Sequence, residues 1–362
     1  MSQLFTPITI GNVTARNRAW MSPMCQYSSA PLGEELGRPN DWHYVHYPTR
    51  GWGGVGAIIV ESTAVSAEGR LSPYDLSIHN DDQIASFTKL AQLISGTGAV
   101  PGIQLGHAGR KASGPRPWEE QTLLYPSGSE IGWKPVAPSP IAFSEVYEEP
   151  HELTEDEILG LIDSFGQAAR RATEAGFQIA ELHGAHGYLI HQFLSPISNQ
   201  RTDRWGQDRM LFGLEAIKAV RREFPGVVAI RLSATDWCEF TDDPRTGWTV
   251  EETRTFINRA KEIGLDFADI SSGGNIPDVK IPAGPGYQVG FARELADTGV
   301  PRSAVGLITE AVQAEQVVRE SADVVMLARV LLSDPYVLQA WRTRLREKPE
   351  FAQPYHRQLM RS

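Results

Sequence analysis

The chain has 362 residues and a formal net charge of −10, from 34 lysines and arginines against 44 aspartates and glutamates. An acidic surface repels polyphosphates, which argues against nucleic acid or an anionic membrane surface as the main partner. Two cysteines are too few for a disulfide scaffold and no apolar run reaches membrane-spanning length, so we expect a cytoplasmic protein with no exporting or anchoring segment.

Strand-like and helix-like segments alternate along the chain. Short apolar runs predict strands, whereas apolar residues spaced three or four apart predict helices. Strands are predicted over residues 18–22, 55–60, 100–105, 176–180, 227–232, 266–270, 304–307 and 323–327. Helices are predicted over residues 81–95, 154–176, 210–224, 249–264, 288–298, 310–320 and 335–345. Capping boxes, Thr154 with Glu157 and Thr249 with Glu252, mark the starts of two of these helices.

Three segments fall outside this alternation. Residues 4–15 alternate in polarity and turn at Gly11 and Asn12, which predicts a short hairpin before the first repeated unit. Residues 28–48 are rich in glycine, proline and asparagine, which predicts an irregular connection. Residues 112–152 show no periodicity, and a loop of this length within a compact domain usually lines or covers a functional site.

The succession of strands and helices predicts the fold. Eight strands, each followed by a helix except where loops intrude, favour a (β/α)8 TIM barrel over an open doubly wound sheet. The prediction is a single α/β domain spanning residues 1–362, with an N-terminal hairpin and a long loop after the third strand. Parallel α/β folds place active sites at the carboxyl ends of their strands, so polar residues that directly follow a strand are the first site candidates.

Polar residues crowd the chain directly after the fourth predicted strand, where His183, His186 and Tyr188 stand. Neutral imidazoles at short spacing bind zinc readily, but a catalytic zinc site needs a third protein ligand. Glu181 would face the same way as His183 only if the strand continued that far, and Gly184 argues against this. From the residues alone, a metal site, a structural histidine pair and a substrate-binding pair all stay open.

Five short motifs together resemble one known family. They occupy residues 21–27 (MSPMCQY), 104–111 (QLGHAGRK), 181–189 (ELHGAHGYL), 195–203 (SPISNQRTD) and 326–329 (MLAR). This combination is similar to the old yellow enzyme family of flavin-dependent ene-reductases, and most similar to its thermophilic-like branch. The resemblance implies a (β/α)8 barrel with a bound FMN and with NADPH or NADH as electron donor. It also implies the reduction of activated carbon–carbon double bonds in small molecules.

The resemblance assigns roles to the residues after the fourth strand. His183 and His186 would donate hydrogen bonds to a carbonyl or nitro oxygen of the substrate, where negative charge develops as hydride arrives at the β-carbon. Tyr188, as a neutral phenol, would give a proton to the α-carbon. Tyr27 would line the substrate face of the flavin opposite Tyr188. His191 is interpreted as a structural residue.

Residues at other strand ends would hold the flavin, according to the same resemblance. The segment that passes along the flavin would be Ser22, Pro23, Met24 and Cys25, with the Cys25 thiol near the reactive edge of the ring. Ser62 and Gln104 would hydrogen-bond the ring, since an amide offers both a donor and an acceptor. The phosphate would meet Gly306, Ala328 and Arg329, after the seventh and eighth strands. Family members usually carry glycine where Ala328 stands.

Two of these residues have a simpler interpretation. Arg231 interrupts an apolar predicted strand, and burying an unpaired guanidinium is costly, so it must meet an anion. The N1 and O2 region of an anionic reduced flavin would serve, and a buried arginine–carboxylate pair is the alternative. Cys25 would otherwise be a small buried hydrophobe, which is the commoner role of a free cysteine.

The end of the chain bears on assembly. Arg357 resembles an arginine that, in the thermophilic-like branch, reaches the active site of the neighbouring subunit, which implies a homodimer or homotetramer; a solvated basic tail is the alternative.

Residues 207–209 form a shorter segment after Gly206 than the family normally has, so access to the site would differ. Two other functions stay open: a metal-dependent hydrolase on the same barrel, and a non-catalytic flavin- or phenol-binding protein.

Overall fold

The computed structural model describes residues 2–119 and 125–361. Its strands are β1 (Ile8–Ile10), β2 (Val13–Ala15), β3 (Ala19–Met21), β4 (Ala57–Ala64), β5 (Val100–Gly106), β6 (Val136–Ala137), β7 (His151–Glu152), β8 (Ile179–Gly184), β9 (Val227–Ser233), β10 (Phe267–Ser271), β11 (Arg302–Ala304) and β12 (Val324–Leu327). Its α-helices are α1 (Asp41–Trp52), α2 (Ile84–Ser95), α3 (Glu155–Ala175), α4 (Leu189–Leu194), α5 (Arg204–Gln207), α6 (Leu211–Glu223), α7 (Val250–Lys261), α8 (Val289–Glu294), α9 (Ala311–Glu320), α10 (Arg329–Ser333) and α11 (Val337–Arg344).

Eight of the strands close into a parallel barrel, which confirms the predicted (β/α)8 fold. Their order around the barrel is β3, β4, β5, β8, β9, β10, β11 and β12, with β12 pairing back to β3. Because all eight strands run in the same direction, their carboxyl ends meet at one rim. No helix in the described part of the chain is long and apolar enough to cross a membrane.

The predicted N-terminal hairpin is present and closes the opposite end of the barrel. Strands β1 and β2 pair antiparallel, and their Ile10 and Val13 join an apolar cluster formed by the first residues of the barrel strands. Trp20 and Phe267 lie at the centre of this cluster, with ring centroids 5.3 Å apart. The amino-terminal half of the barrel interior is therefore filled with apolar side chains.

The expectation of an irregular connection over residues 28–48 is wrong in its second half, because helix α1 begins at Asp41 and continues through Pro48. Asn40 caps this helix with a side-chain oxygen that accepts from the Trp42 N–H at 3.1 Å. The helix also buries His43 and Tyr47 completely. Capping and burial together outweigh the hydrogen bond that a proline removes.

Both predicted capping boxes are present. The N–H of Thr154 donates to Glu157 at 2.7 Å, and the N–H of Thr249 donates to Glu252 at 3.0 Å. The seventh barrel strand is displaced from its predicted position, since β11 ends at Ala304. Gly306 and Leu307 beyond it have φ angles of +111° and +51°, which an extended strand does not allow.

Close packing between strands predicts a severe effect of a side chain at Gly102. An added Cβ there would lie 2.5 Å from Ile59 Cδ1 and 3.2 Å from Ile179 Cβ. We expect Gly102→Val to lower the free energy of unfolding by about 1–3 kcal/mol through overpacking. Gly160→Ala is the matched control, because a Cβ at Gly160 in α3 meets nothing within 4 Å, and it should raise stability by about 0.5–1 kcal/mol. Urea denaturation of both variants checks this, and equal shifts would contradict the packing argument.

Candidate active site

The structure brings His183, His186 and Tyr188 together at the carboxyl end of β8. The ring centroid of His183 lies 5.2 Å from that of His186 and 4.7 Å from that of Tyr188, and both contacts are edge-on. His183 is almost fully buried, whereas His186 and Tyr188 are half-buried. Three polar rings therefore form one cluster at the rim, as the sequence predicts.

Hydrogen bonds orient both imidazoles. Nδ1 of His183 accepts from the N–H of Ala185 at 3.3 Å, so the proton of a neutral His183 is on Nε2. Nε2 of His186 lies 2.7 Å from Ser271 Oγ, and its backbone N–H donates to Ser233 Oγ at 3.0 Å. Nδ1 of His186 is therefore the ring nitrogen left for a ligand.

The environment keeps all three rings uncharged. Burial lowers the pKa of His183 and of His186 well below the usual histidine value, and the positive charges of Arg231 and Lys111 lower it further. Burial also raises the pKa of Tyr188 well above that of a free phenol. At neutral pH the cluster consists of two neutral imidazoles and a protonated phenol.

The metal-site alternative lacks a third ligand. β8 does continue through Gly184, so Glu181 faces the same way as His183, contrary to the sequence argument. However, Oε1 of Glu181 accepts a hydrogen bond from Gln104 Nε2 at 2.8 Å. Within residues 2–119 and 125–361, no three or more His, Cys, Asp or Glu side chains are arranged to hold a metal ion.

A cavity opens beside His186, between the ends of β3, β9, β10, β11 and β12. Most of its walls come from residues predicted to hold a flavin and from polar residues that were not predicted, among them the three named below. The predicted residues are Ser22, Pro23, Arg231, Gly306, Ala328 and Arg329, and the others are Ser271, Tyr287 and Gln288. The fold thus collects residues that are far apart in the sequence around one space.

Arg231 forms the buried arginine–carboxylate pair that the sequence offered as one of two interpretations. Its Nε lies 2.6 Å from Asp269 Oδ2, which makes the buried arginine–carboxylate pair. Its Nη2 donates to Ser22 Oγ at 2.7 Å, and the residue also lines the cavity. A guanidinium has five N–H groups, so Arg231 can bind Asp269 and still offer donors to a ligand.

The segment after β3 lies against β4. The N–H of Gln26 donates to the buried carboxylate of Glu61 at 2.6 Å, which fixes the backbone between Cys25 and Tyr27. Burial raises the pKa of the Cys25 thiol well above its usual value, so the thiol is protonated. The ring of Tyr27 meets that of Trp118 edge-on at 5.8 Å, and the long loop after β5 therefore reaches the predicted substrate face.

Four of the residues predicted to hold the flavin do not line this cavity: Met24, Cys25, Ser62 and Gln104. Ser62 and Gln104 are paired neighbours on β4 and β5. The structure does not bring Arg357 to the cavity; it is exposed and lines a separate groove with Tyr336 and Tyr355. Its contact with a neighbouring subunit stays a prediction.

Sequence reasoning missed two charged residues of the site. Asp269 is the charged residue of β10, among apolar neighbours, which is the same signal that identified Arg231. Lys111 ends the motif at residues 104–111 and was given no role. Its Nζ donates to the carbonyl oxygens of His186 at 3.0 Å and Gly274 at 3.1 Å, and lies 5.2 Å from the centre of the Tyr188 ring. Burial lowers its pKa to about 8.

A (β/α)8 barrel with such a rim is the architecture of flavin-dependent oxidoreductases. Residues 3–348 match the NADH:flavin oxidoreductase / NADH oxidase family. The chain belongs to that family, which is the old yellow enzyme family of the resemblance, and it is an NAD(P)H-dependent flavin oxidoreductase with FMN as cofactor.

Relatives and solved structures agree with this assignment. The NADPH dehydrogenase of Geobacillus sp. (strain WCH70) is 45% identical over 340 residues, which is 92% of each chain. That of Listeria monocytogenes (serotype 4b, strain F2365) is 41% identical over 362 residues, 99% of each chain. Morphinone reductase has a TM-score of 0.76 at 25% identity, over 98% of this chain and 92% of its own. A 2-naphthoyl-CoA reductase has a TM-score of 0.81 at 24% identity, but this chain spans only 52% of it, so it shows the fold alone.

The rim residues fit an FMN. A Cβ at Gly306 would lie 2.7 Å from Gln288 Nε2, so only glycine leaves this part of the cavity open. Ala328 has a φ of −114°, which lies outside the left-handed region that favours glycine, and it precedes the first N–H groups of α10, which lack partners within the helix. Gln104 donates its amide N–H to Glu181, so its carbonyl oxygen is the group it can offer to a ring N–H.

The ion pair predicts the behaviour of Arg231→Met. We expect this variant to lose about 3–5 kcal/mol of stability, because it removes the guanidinium from the fully buried Asp269 carboxyl. Adding Asp269→Asn should recover much of the stability while the FMN dissociation constant stays raised. Thermal unfolding and fluorescence titration with FMN measure the two effects. Recovery of FMN binding in the double variant would show that Arg231 acts only through Asp269.

Proposed function

We propose that this flavin oxidoreductase is an ene-reductase acting on enones, maleimides and nitroalkenes. The observation that carries the proposal is the cluster of two neutral imidazoles and a protonated phenol beside the cavity. The rim residues would hold FMN, and the bound cofactor would supply hydride transfer, in ping-pong order, from NADPH or NADH to the β-carbon of the alkene. Every other role belongs to residues of the chain.

His183 and His186 bind the oxygen of the activating group. Two N–H donors at this position stabilise the negative charge that develops on a carbonyl or nitro oxygen. His183 can donate through Nε2, because its Nδ1 already accepts the Ala185 N–H. His186 offers Nδ1 to the ligand. Donation from Nδ1 requires the Ser271 hydroxyl, which lies 2.7 Å from Nε2 and 3.1 Å from Gln288 Oε1, to turn its hydrogen from Gln288 to Nε2. Neutral donors also avoid the cost of a buried charge when the site is empty.

Tyr188 supplies the proton to the α-carbon. Its raised pKa keeps the phenol protonated at neutral and moderately alkaline pH, so the donor is present in its active form. The ammonium of Lys111 lies 5.2 Å from the centre of its ring, where positive charge stabilises the phenolate that forms after proton transfer. Tyr27, held edge-on against Trp118, lines the other side of the substrate.

The remaining assignments of the sequence belong to the same proposal. Ser22, Pro23, Met24 and Cys25 pass along the flavin, Ser62 and Gln104 bond its ring, and Arg231 neutralises its pyrimidine end. The phosphate is bound by Gly306, Ala328 and Arg329. Arg357 contributes to the site of a second subunit in a homodimer or homotetramer. The family assignment decides against a hydrolase or a non-catalytic binding protein, since the relatives are NADPH dehydrogenases.

Tyr188→Phe tests the proton-donor role. We expect reduction of the bound FMN by NADPH to keep its rate, while reoxidation by 2-cyclohexenone slows by about 100-fold or more, the usual contribution of a general acid. Stopped-flow absorbance at the flavin band measures each half-reaction separately. An equal loss in both half-reactions would refute the proposed role, because a proton donor to the alkene acts only in the second one.

The neutral histidines predict a flat pH profile on the acid side. Because the pKa of both imidazoles is lowered, they take up protons only well below the ordinary value of about 6.5. We therefore expect the rate of reoxidation by 2-cyclohexenone to stay level from about pH 7.5 down to about pH 5.5. A tenfold change centred near the ordinary value would mean that the imidazoles titrate normally and that burial does not keep them neutral.

A further inference from the structure

The turn between His186 and Tyr188 is held at every polar atom of its two central peptide groups. In the peptide group before Gly187, the carbonyl oxygen of His186 accepts from Lys111 Nζ at 3.0 Å, and the N–H of Gly187 donates to His191 Nδ1 at 2.9 Å. In the peptide group after it, the carbonyl oxygen of Gly187 accepts from Gln192 Nε2 at 2.7 Å. The N–H of Tyr188 donates to the carbonyl oxygen of Ala185 at 3.1 Å.

Fixing these two planes fixes the dihedral angles between them. The peptide unit is planar, so φ and ψ of Gly187 are the only soft torsions that relate the two planes. Those torsions in turn set the relative position of the Cα atoms that carry the His186 and Tyr188 side chains, whose ring centroids are 6.5 Å apart. Among the residues that hold the turn, His191 and Gln192 belong to α4 and are not among the residues that line the cavity.

A buried carboxylate orients His191. Because Nδ1 of His191 accepts the Gly187 N–H, its ring hydrogen is on Nε2, which lies 3.1 Å from Asp236 Oδ1. Both side chains are completely buried. The other oxygen of Asp236 accepts from Ser195 Oγ at 2.6 Å and from the N–H of Trp248 at 2.9 Å. These contacts fix the tautomer and the angle of the imidazole, as a carboxylate does in other carboxylate–histidine pairs.

The turn needs such restraint because its backbone is unusual. His186 has a φ of +59°, in the left-handed region that a side chain with a Cβ adopts rarely. Gly187 has a φ of +74°, and a Cβ there would lie 2.3 Å from the carbonyl oxygen of Gly274. Such conformations persist where the surroundings over-determine them, and the contacts to Lys111, His191 and Gln192 supply that restraint.

We propose that His191 and Asp236 are positioning residues, which hold the peptide before Gly187 so that His186 and Tyr188 reach one substrate together. This inference rests on the proposed roles of His186 and Tyr188. It also revises the expectation that His191 is only structural, because the acceptor at Nδ1 is what the turn requires. A side chain of the same bulk without this acceptor would leave the Gly187 N–H unbonded.

Two substitutions of similar size separate these possibilities. The side-chain oxygen of His191→Asn falls near the position of Nδ1, so this variant keeps an acceptor for the Gly187 N–H. The amide of His191→Gln falls near the position of Nε2, so this variant faces Asp236 and leaves the Gly187 N–H without an acceptor. We expect the reduced His191→Asn variant to be reoxidised by 2-cyclohexenone at a rate within about tenfold of the parent rate. Reoxidation of His191→Gln should be slower by about 100-fold, because a misplacement of the reacting groups by about 1 Å has a cost of that size.

FMN content and reduction potential provide the internal control. Since neither residue lines the cavity, all variants should bind FMN in the parent ratio and have the parent potential. Ile217→Ala is the matched control for lost stability, because Ile217 is completely buried in α6; it should melt at a lower temperature and keep the parent rate. The proposal would be overturned if His191→Asn and His191→Gln lost equal amounts of reoxidation rate or if both kept the parent rate. A similar loss of rate in Ile217→Ala would also overturn it.

Two further measurements keep the test independent of folding defects and of the proposed function. If the residues act as a pair, His191→Gln combined with Asp236→Asn should be about as slow as the slower single variant, and multiplied losses would contradict pairing.

Binding of 4-hydroxybenzaldehyde, followed by the absorbance shift of oxidised FMN, requires no turnover. It should weaken in His191→Gln and recover in His191→Asn. If the parent protein binds this phenol but does not reduce 2-cyclohexenone, the proposed function fails while the positioning role is still tested.

Discussion

The rim of the barrel depends on the buried ion pair between Arg231 and Asp269. The two residues are direct neighbours on β9 and β10, and their side chains meet at 2.6 Å inside the barrel. An unpaired charge at this depth would cost several kcal/mol, roughly enough to cancel a large part of the stability of a domain. Below the pair the interior is apolar around Trp20 and Phe267. The pair therefore marks the level at which the barrel changes from a packed core to a binding site.

The Arg231 guanidinium also interacts with a second acidic side chain near the rim, that of Glu181. Glu181 on β8 is completely buried, and burial together with the charge of Asp269 raises its pKa to about 8, while Arg231 offsets only part of the shift. The same guanidinium lowers the pKa of His183 and His186. The guanidinium that lines the cavity thus acts together with burial to keep His183 and His186 neutral. A negative group bound beside Arg231 would therefore be electrostatically linked to the protonation of the two histidines.

The fold could be predicted from the sequence wherever local patterns determine local structure. Apolar runs identified all eight barrel strands, and two capping boxes identified the starts of α3 and α7. The prediction was wrong at α1, where burial of His43 and Tyr47 outweighs the breaker Pro48, and displaced at β11. In both places tertiary contacts or backbone conformation determine the structure, and neither can be predicted from the residue types alone.

The site could be predicted only in part, because some of its residues are neighbours in the sequence and others are far apart in it. His183, His186 and Tyr188 stand close together after one strand, so position alone made them candidates. Their supports come from other strand ends, and nothing in a sequence says which carboxylate will lie beside which arginine or imidazole.

The left-handed conformation of His186 is the clearest case of a feature that local rules miss. Histidine seldom adopts it, and only the glycine that follows hints at an unusual turn. Natural sequences break local rules mainly where function requires it, and they restore stability through contacts elsewhere. Here the restoring contacts are Lys111, His191 and Gln192. A strained residue whose backbone neighbours are all bonded is thus evidence that its exact position matters.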